Sequence, residues 1–400
     1  MNTQNLYPIV EIRKHSIKFE VIKFYKDQII IIFEKTYYGD GSDLLTSQGA
    51  VKDPSLVSKF LEQSFNNFDQ TFKNLKLKDV GLILPNNISI IKKTIDYDLG
   101  QQEAGKLKNL ANLKLILKKS EKLYDNNKIT QNFKILDNKI SELIVDNQQI
   151  DLNNLANLKF NNQKLAIVLS MIAINKQVYE SHEKTISKIN KKIMWSKPKI
   201  FTLHEMITDE SKNHKIIIDW RYSEIEIGVF QNAILSKVVK LPFGVEQIVY
   251  EISQFMDTDL NLASKYIFNN IDFSSENLTN IKVFSKWNKK TNTLDVITAD
   301  KLKTKIEQEI QKIYQQIKNT LLETKQQNYH IYNFGIICKI PGIKTVICTT
   351  ECDDVRSKSW IGDFIVGGDS CSLVGLARFV SKNPIHNSDD LLKNEEYQTS

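Results

Sequence analysis

The sequence predicts an α/β protein of two lobes that arose by internal duplication. Three observations predict it. Lys215 to Phe255 reads strand, turn, strand, turn, strand, helix. Pro8 to Phe72 reads the same order of elements, about two hundred residues earlier. Between the two copies lies a polar, lysine-rich stretch with a pattern of its own. A repeated unit of this size implies a duplicated fold with a cleft between its halves.

In the first copy, Pro8 to Ile12 predicts a strand ending near Glu11, and Arg13, Lys14 and His15 form a turn. Ile17, Phe19 and Val21 alternate along the next strand. Ile29 to Tyr38 starts apolar on both faces, which predicts a central strand. Asp53 is a good N-cap and Pro54 sits at the first helical position. Leu56, Phe60, Phe65, Phe68 and Phe72 are then expected as the buried stripe of that helix.

The inserted stretch begins near Leu82. Gln101 to Tyr124 predicts a helix with Leu107, Leu110, Leu113 and Leu117 on one face. Asn132 to Asp151 predicts strands separated by Asp137-Asn138 and Asp146-Asn147 turns. Leu165 to Ala173 is a near-continuous apolar strand, and Asn175 to Ile193 a helix with Val178, Ile186, Ile189 and Ile193 inward. Trp195 to Thr208 leads to the second copy.

There Lys215 to Asp219 ends a strand on an acid, and Trp220, Arg221 and Tyr222 form the turn. Ser223 to Phe230 and Ala233 to Lys240 are strands about a Gln231-Asn232 turn. Pro242 and Gly244 open a helix with Val245, Ile248, Val249, Ile252 and Phe255 on one face. Thr258 to Asn269 predicts a short helix, and Asn270 to Leu294 a polar region with sparse strands. Asp300 to Lys325 is the clearest helix, with Leu302, Ile306, Ile310, Ile313, Ile317 and Leu321 at three- and four-residue steps. That spacing also fits a coiled coil, but a single helix under four heptads more often packs within a domain.

Length and composition allow this architecture: 400 residues suffice for two to four domains. The formal charge of +7 comes from a composition rich in Lys, Asn and Ile. It favours acidic partners such as an anionic lipid surface or an acidic tail. No basic run is interleaved with aromatics, which argues against nucleic acid. No stretch reaches the ~20 apolar residues of a membrane-spanning helix, and the N-terminus lacks a signal-peptide core, so a cytoplasmic location is expected. The four cysteines, Cys338, Cys348, Cys352 and Cys371, lack a histidine at zinc-site spacing and read as free thiols. His15 and His182 do not make credible catalytic bases. No nucleophile motif, paired carboxylates or P-loop appears.

In order and spacing, five segments resemble the FtsA family of bacterial cell-division actin homologues. Gln48 to Phe65 is similar to its G-x-V-x-D segment and first helix, and Val80 to Thr94 to its strand, loop and I-S stretch. Ile218 to Leu235 with Leu241-Pro242-Phe243-Gly244-Val245 resembles the second phosphate hairpin. Tyr332 to Ile343 resembles the adenosine loop, and Leu373 to Phe379 the closing helix. The resemblance covers most of the chain. It implies a duplicated actin-like (ribonuclease-H-like) fold with a subdomain 1C insertion. Residues 1–81 and 165–197 would form subdomain 1A, 82–164 subdomain 1C, 198–257 the first part of 2A, 258–328 subdomain 2B, and 329–380 the end of 2A with the closing 1A helix. Residues 381–400 would be a polar tail, without the family's amphipathic membrane helix.

The resemblance also implies where nucleotide would bind: Glu11, Arg13, Lys14 and Ser16 in the first phosphate turn, Asp219, Arg221 and Ser223 in the second, and Gly335 in the adenosine loop. Both turns depart from the family, which needs glycines so that backbone N–H groups can approach phosphate. Two outcomes are open. Arg13, Lys14 and Arg221 could hold phosphate as side-chain cations, or ATP and Mg²⁺ binding is weak or lost and no cofactor is used. The latter is favoured here, and ATPase activity is doubtful. The implied function is a cell-division scaffold that binds the FtsZ C-terminal tail, with self-association into filaments and an anionic membrane surface as further contacts. The alternatives are a polymerising actin-like ATPase switch and a basic structural protein associated with membrane or filaments. The implied location is the cytoplasm, at the membrane or division site.

Overall fold

The computed structural model describes residues 6–25, 28–73, 75–77, 79–98, 131–150, 164–207, 214–275, 281–288, 292–322, 329–347 and 370–382. The helix expected at Gln101 to Tyr124, Cys348, Cys352 and the polar tail lie outside them. The chain forms two compact units. Met1–Val21, Ile32–Pro198 and Ala233–Lys237 make the first, and Ile22–Ile31, Lys199–Asn232 and Val238–Ser400 the second.

The first unit is built on β1 (Leu6–Ile12), β2 (Ser16–Tyr25), β3 (Gln28–Tyr38), α1 (Pro54–Thr71) and β4 (Asp79–Leu84). A short turn joins β1 to β2, and α1 carries the chain back so that β4 runs parallel to β1. The sheet order is β3-β2-β1-β4-β9, where β9 is Lys192–Pro198 and parallel to β4. β3 is therefore an edge strand and not the central one expected. Its apolar start stays partly exposed, Ile30 at 40%, while Phe33 meets Phe19 and Phe68 edge-on.

Asp53 caps α1 as expected, accepting from the backbone N–H of Ser55 and Leu56. The buried stripe is Val57, Leu61, Phe65 and Phe68, while Leu56 is 42% exposed.

A second sheet in this unit has the order β5-β8-β6-β7, from β5 (Ile88–Asp98), β6 (Phe133–Val145), β7 (Gln148–Ile150) and β8 (Lys164–Asn175). The apolar run at Leu165 to Ala173 is central, but in this sheet. It pairs antiparallel with both β5 and β6. Asp137-Asn138 is not a turn: β6 runs through it with a register shift between Ile135 and Asp137. Asp146-Asn147 is a turn, with both residues at positive φ as a tight hairpin needs.

α2 (Lys176–Ser187) is shorter than expected, because Asn190 takes φ 54° and Lys192 begins a strand that contains Ile193. α2 buries His182 completely. Its Nε2–H donates to the Gly49 carbonyl at 3.0 Å, and Ser181 Oγ accepts from the Val51 N–H at 3.0 Å. Burial pushes the ring down to about 4, against the opposite pull of the Gly49 carbonyl. The unfolded chain takes up this proton near pH 6.5 and the folded chain does not. The stability it protects is complete above about pH 6.5 and declines as pH falls toward 4, by about 3 kcal/mol in total. Urea unfolding at about pH 7 and pH 4.5 should show a drop about 2 kcal/mol larger in the native protein than in His182→Gln.

The second unit repeats the first in outline. α3 (Lys199–His204) precedes β10 (His214–Trp220), β11 (Ile225–Gln231), β12 (Ile234–Leu241) and α4 (Val245–Met256). β15 (His330–Gly335) lies parallel to β10, giving the order β12-β11-β10-β15. The sheet matches β3-β2-β1-β4 of the first unit, strand for strand. α5 (Leu260–Lys265) runs into a π-helical turn, Tyr266–Asn270. A two-stranded ribbon follows, β13 (Lys282–Asn288) and β14 (Thr293–Thr298), and then α6 (Ala299–Leu322).

Leu302, Ile306, Ile310, Ile313, Ile317 and Leu321 are all buried, so α6 packs within its unit as expected of its stripe. α4 buries Val245, Ile248, Val249, Ile252 and Met256, and leaves Phe255 exposed. α7 (Lys344–Ile347) and α8 (Cys371–Lys382) complete the described chain. α8 crosses α3 so closely that a Cβ on Gly375 would lie 1.8 Å from the Thr202 carbonyl oxygen.

Candidate functional site: two acid-ended hairpin turns

The first turn follows β1. The Arg13 N–H donates to the Ser16 carbonyl at 2.8 Å, closing a tight turn. Glu11 is buried at the end of β1, and the Arg13 guanidinium folds back onto it at 2.7 Å. Lys14 and His15 point away from Glu11, toward Asp43. The distances are 3.8 Å from Lys14 Nζ and 3.3 Å from His15 Nδ1, with Lys52 Nζ also 3.8 Å from that carboxylate. Ser16 is buried at the start of β2. The structure thus brings Glu11, Arg13 and Ser16 together and directs Lys14 elsewhere.

The second turn follows β10 and repeats the arrangement with more partners. Asp219, buried at the strand end, accepts at Oδ2 from Arg221 Nε at 3.0 Å and from Lys199 Nζ at 2.9 Å. Glu226 stands opposite Asp219 in the antiparallel register of β10 and β11. Two buried carboxylates facing each other across a ladder would repel. Arg221 resolves the conflict, because its guanidinium reaches Glu226 as well as Asp219, and Glu224 at 2.9 Å. Lys240 closes on the other oxygen of Glu224 at 2.6 Å.

Burial alone would raise the Asp219 carboxyl, but Lys199 and then Arg221 hold it below its ordinary value. Burial likewise works against the Arg221 cation. Glu226 and Asp219 outweigh it and raise the guanidinium above its ordinary value.

The backbone around this turn is equally engaged. The Arg221 N–H donates to the Glu224 carbonyl at 3.0 Å. The first N–H groups of α4 turn inward: Val245 donates to the Arg221 carbonyl at 3.1 Å, and Glu246 to the Tyr222 carbonyl at 2.7 Å. These are donors that a helix N-terminus otherwise offers to an anion. Gly244 permits the approach, since a Cβ there would come within 2.4 Å of the Arg221 carbonyl oxygen. Trp220 is fully buried and its indole N–H donates to Asn333 Oδ1 at 2.9 Å. Ser223 is half-buried in the turn.

Gly335 ends β15 beside Trp220. It takes φ 90°, and a Cβ would lie 2.2 Å from the Trp220 carbonyl oxygen and 3.0 Å from Asp219 Oδ1. That Oδ1 is buried and has no hydrogen-bond partner among the described residues. Asp219, Arg221 and Gly335 therefore form one cluster at the end of β10.

Lys199, Glu224, Glu226 and Lys240 were missed by sequence reasoning. Glu224 and Glu226 were visible as S-E-I-E after the turn, but only the register shows that Glu226 faces Asp219. In the second turn the N–H groups of Arg221, Val245 and Glu246 and one oxygen of Asp219 are engaged within the chain. Of the charged groups expected to hold phosphate or metal, Glu11, Arg13, Asp219 and Arg221 are paired with one another or with neighbouring charges of the chain.

No protein-family profile matches the sequence. No curated protein matches it either. Solved structures do. A chain of the PilM-PilN type IV pilus biogenesis complex is similar over 94% of this chain and 97% of its own, with TM-score 0.54 and 11% identity. The MreB5 of Spiroplasma citri, solved bound to ADP, is similar over 95% and 97%, with TM-score 0.50 and 8% identity. The chain has the actin-like ATPase fold. The strand-for-strand repeat of the two sheets is the duplication of that fold, and the two acid-ended turns are equivalent positions in its halves. The ethanolamine utilization protein EutJ from Carboxydothermus hydrogenoformans is also similar, with TM-score 0.48 and 9% identity over 94% of this chain and 89% of its own.

Proposed function

We propose that this actin-like chain is an FtsA-like scaffold that works through protein contacts and does not turn over ATP. The observation that carries the reading is the repeated E-x-R and D-x-R device. In each unit the strand-end acid is held by an arginine two residues on, so the chain supplies the counter-charge that a nucleotide-bound cation would supply in an ATPase. The partner implied by the FtsA resemblance is the FtsZ C-terminal tail. The segment 258–328 would act as the 2B-like docking face, and 82–164 as the 1C-like insertion. Self-association into filaments and a place at the division site belong to the same reading.

Calorimetric titration of nucleotide-stripped protein with ATP and Mg²⁺ tests the first half. The expected result is no heat of binding into the millimolar range. Micromolar binding would overturn it and revive the ATPase switch, for which the unpartnered Asp219 Oδ1 is the natural acceptor. Titration with an FtsZ tail peptide tests the second half, and absence of binding at high micromolar peptide would count against FtsZ as partner.

A second reading follows from the likeness to the PilM-PilN complex. On it the same scaffold would serve a pilus-type assembly, with a PilN-like segment as partner. Binding of such a segment, with no response to the FtsZ peptide, would favour it.

A further inference from the structure

Residues 44–52 form a small hairpin that ties the first acid-ended turn to α2. Leu44 pairs with Lys52, Leu45 with Val51 and Thr46 with Ala50 across it. At its base the Leu44 N–H donates to the Lys14 carbonyl at 2.7 Å. The Gly39 N–H, just before it, donates to the His15 carbonyl at 3.0 Å. The turn that carries Glu11 and Arg13 is thus backed by this hairpin. At its tip the Val51 N–H donates to Ser181 Oγ, and the Gly49 carbonyl accepts from His182 Nε2–H, both at 3.0 Å. Gly49 holds φ 89° there, and a Cβ on it would lie 2.8 Å from Pro85 Cγ.

The His182 ring is fully buried beneath this tip. A carbonyl only accepts, so Nε2 carries the proton and Nδ1 is the bare nitrogen. Nδ1 has no hydrogen-bond partner among the described residues. A second proton would therefore create a buried cation with nothing to receive its new N–H.

Neighbouring charges offer no remedy. From Leu44 to Val51, and from Leu84 to Ile88, no side chain ionises. Lys176, Glu180, Glu183 and Lys184 of α2 are exposed, as are Lys59, Glu62 and Asp69 of α1. β6, β8 and β9 also pack on α2. In β6, Asp137 pairs with Lys197 of β9, Glu142 with Lys92, Lys139 with the Ala233 carbonyl, and Lys134 lies over the Tyr179 ring. Lys164 of β8 and Lys192 of β9 are exposed. Asp43 and Asp53, which flank the hairpin, are held by Lys14, His15 and Lys52 and by the first N–H groups of α1.

We propose that hairpin 44–52 is an acid-released strap: a proton taken up by His182 detaches its tip from α2 and withdraws the backing of the first turn. Water reaches the imidazolium only when the tip lifts, so proton uptake and opening are one event. The strap works in the same way whether or not the chain is a scaffold. In place, the ring is held down to about 4; once released, it returns to its ordinary 6.5. The opening constant should therefore rise about twentyfold between pH 7 and pH 5.

Hydrogen exchange of the full chain at these two pH values, corrected for the intrinsic effect of pH, tests this. The Val51 amide should open about twentyfold more often at pH 5. Because the opening is local, ~1 M urea should leave its rate unchanged while accelerating the slowest amides of α1. The Leu44 amide should follow Val51. His182→Gln keeps an N–H for the Gly49 carbonyl but cannot titrate, and its Val51 opening should change less than about twofold with pH. Ser181→Ala removes the other pin, so opening should increase at both pH values with the twentyfold ratio kept.

A Val51 amide that responds to urea as α1 does would overturn the proposal, because only global unfolding would then be involved. The same pH response in His182→Gln would overturn it too. So would a Leu44 amide that stays protected while Val51 opens, since the tip would then be uncoupled from the turn.

Discussion

Arg221→Ala is expected to lower the unfolding free energy by about 3–5 kcal/mol, the usual cost of removing one partner from a buried ion pair. The reason is local. Asp219 and Glu226 are both buried and directly opposed across the ladder, and Arg221 is the cation that reaches both. Lys199 remains on Asp219 in the variant, while Glu226 loses that guanidinium.

The pH dependence carries the sign. In the native protein Asp219 is held below its ordinary value, so its contribution is present above about pH 4 and is lost as pH falls through the folded value. In the variant, carboxylates buried without the guanidinium gain from protonation, so the deficit should shrink as pH is lowered from about 7 to 5. Urea unfolding across this range measures both effects. A deficit under about 1 kcal/mol would show that the carboxylates find other partners. The same variant serves the nucleotide question, because the scaffold reading expects no ATP binding with or without Arg221.

Gly335→Ala is expected to destabilise the second unit by about 3 kcal/mol or more. Two costs combine. An alanine at φ 90° is strained by about 1–2 kcal/mol. Its Cβ would also sit 2.2 Å from the Trp220 carbonyl oxygen, a backbone atom fixed by the pairing of Trp220 with Ile225 and Gly335. Neither strand can move without disturbing the buried Asp219 cluster.

Gly41 provides the control. It takes φ 83°, and nothing lies within 4 Å of a Cβ placed there. Gly41→Ala should therefore cost only the torsional part, about 1 kcal/mol. If the two variants lose equal stability, the close approach at Trp220 does not matter.

Much of this fold could be read from local pattern. The strand–turn–strand–turn–strand–helix repeat, the Asp53 cap and the α6 stripe are all near-neighbour features, and they appear where the periodicity put them. What pattern could not supply was anything set by pairing across the chain. β3 is apolar at its start yet lies at an edge, because hydrophobicity reports burial and not the number of neighbouring strands. β9 was hidden because Lys192 to Pro198 follows a helix without a strong break.

The candidate site divides in the same way. Glu11, Asp219 and the loss of glycines in both turns were legible, and they raised the question of how bulky cations occupy a phosphate turn. The answer required contacts. Arg13 and Arg221 were readable as residues free to bind phosphate, and each turns back on the acid two positions before it. Lys199 comes from the preceding helix and Glu226 from the facing strand, at separations that no local motif encodes.

The crossing of α8 over α3 bears on how the chain is made. The sheets of the first unit draw all their strands from before residue 199. The second unit needs α8, where Leu373, Val374, Leu376 and Ala377 are buried and Gly375 presses on the Thr202 backbone. A ribosome adding roughly 5–20 residues per second must therefore work for about 10–40 s between completing the first set of strands and releasing the helix that covers α3. During that interval α3 carries apolar surface with no cover from α8, which makes the nascent second unit the stage at which a chaperone would be needed.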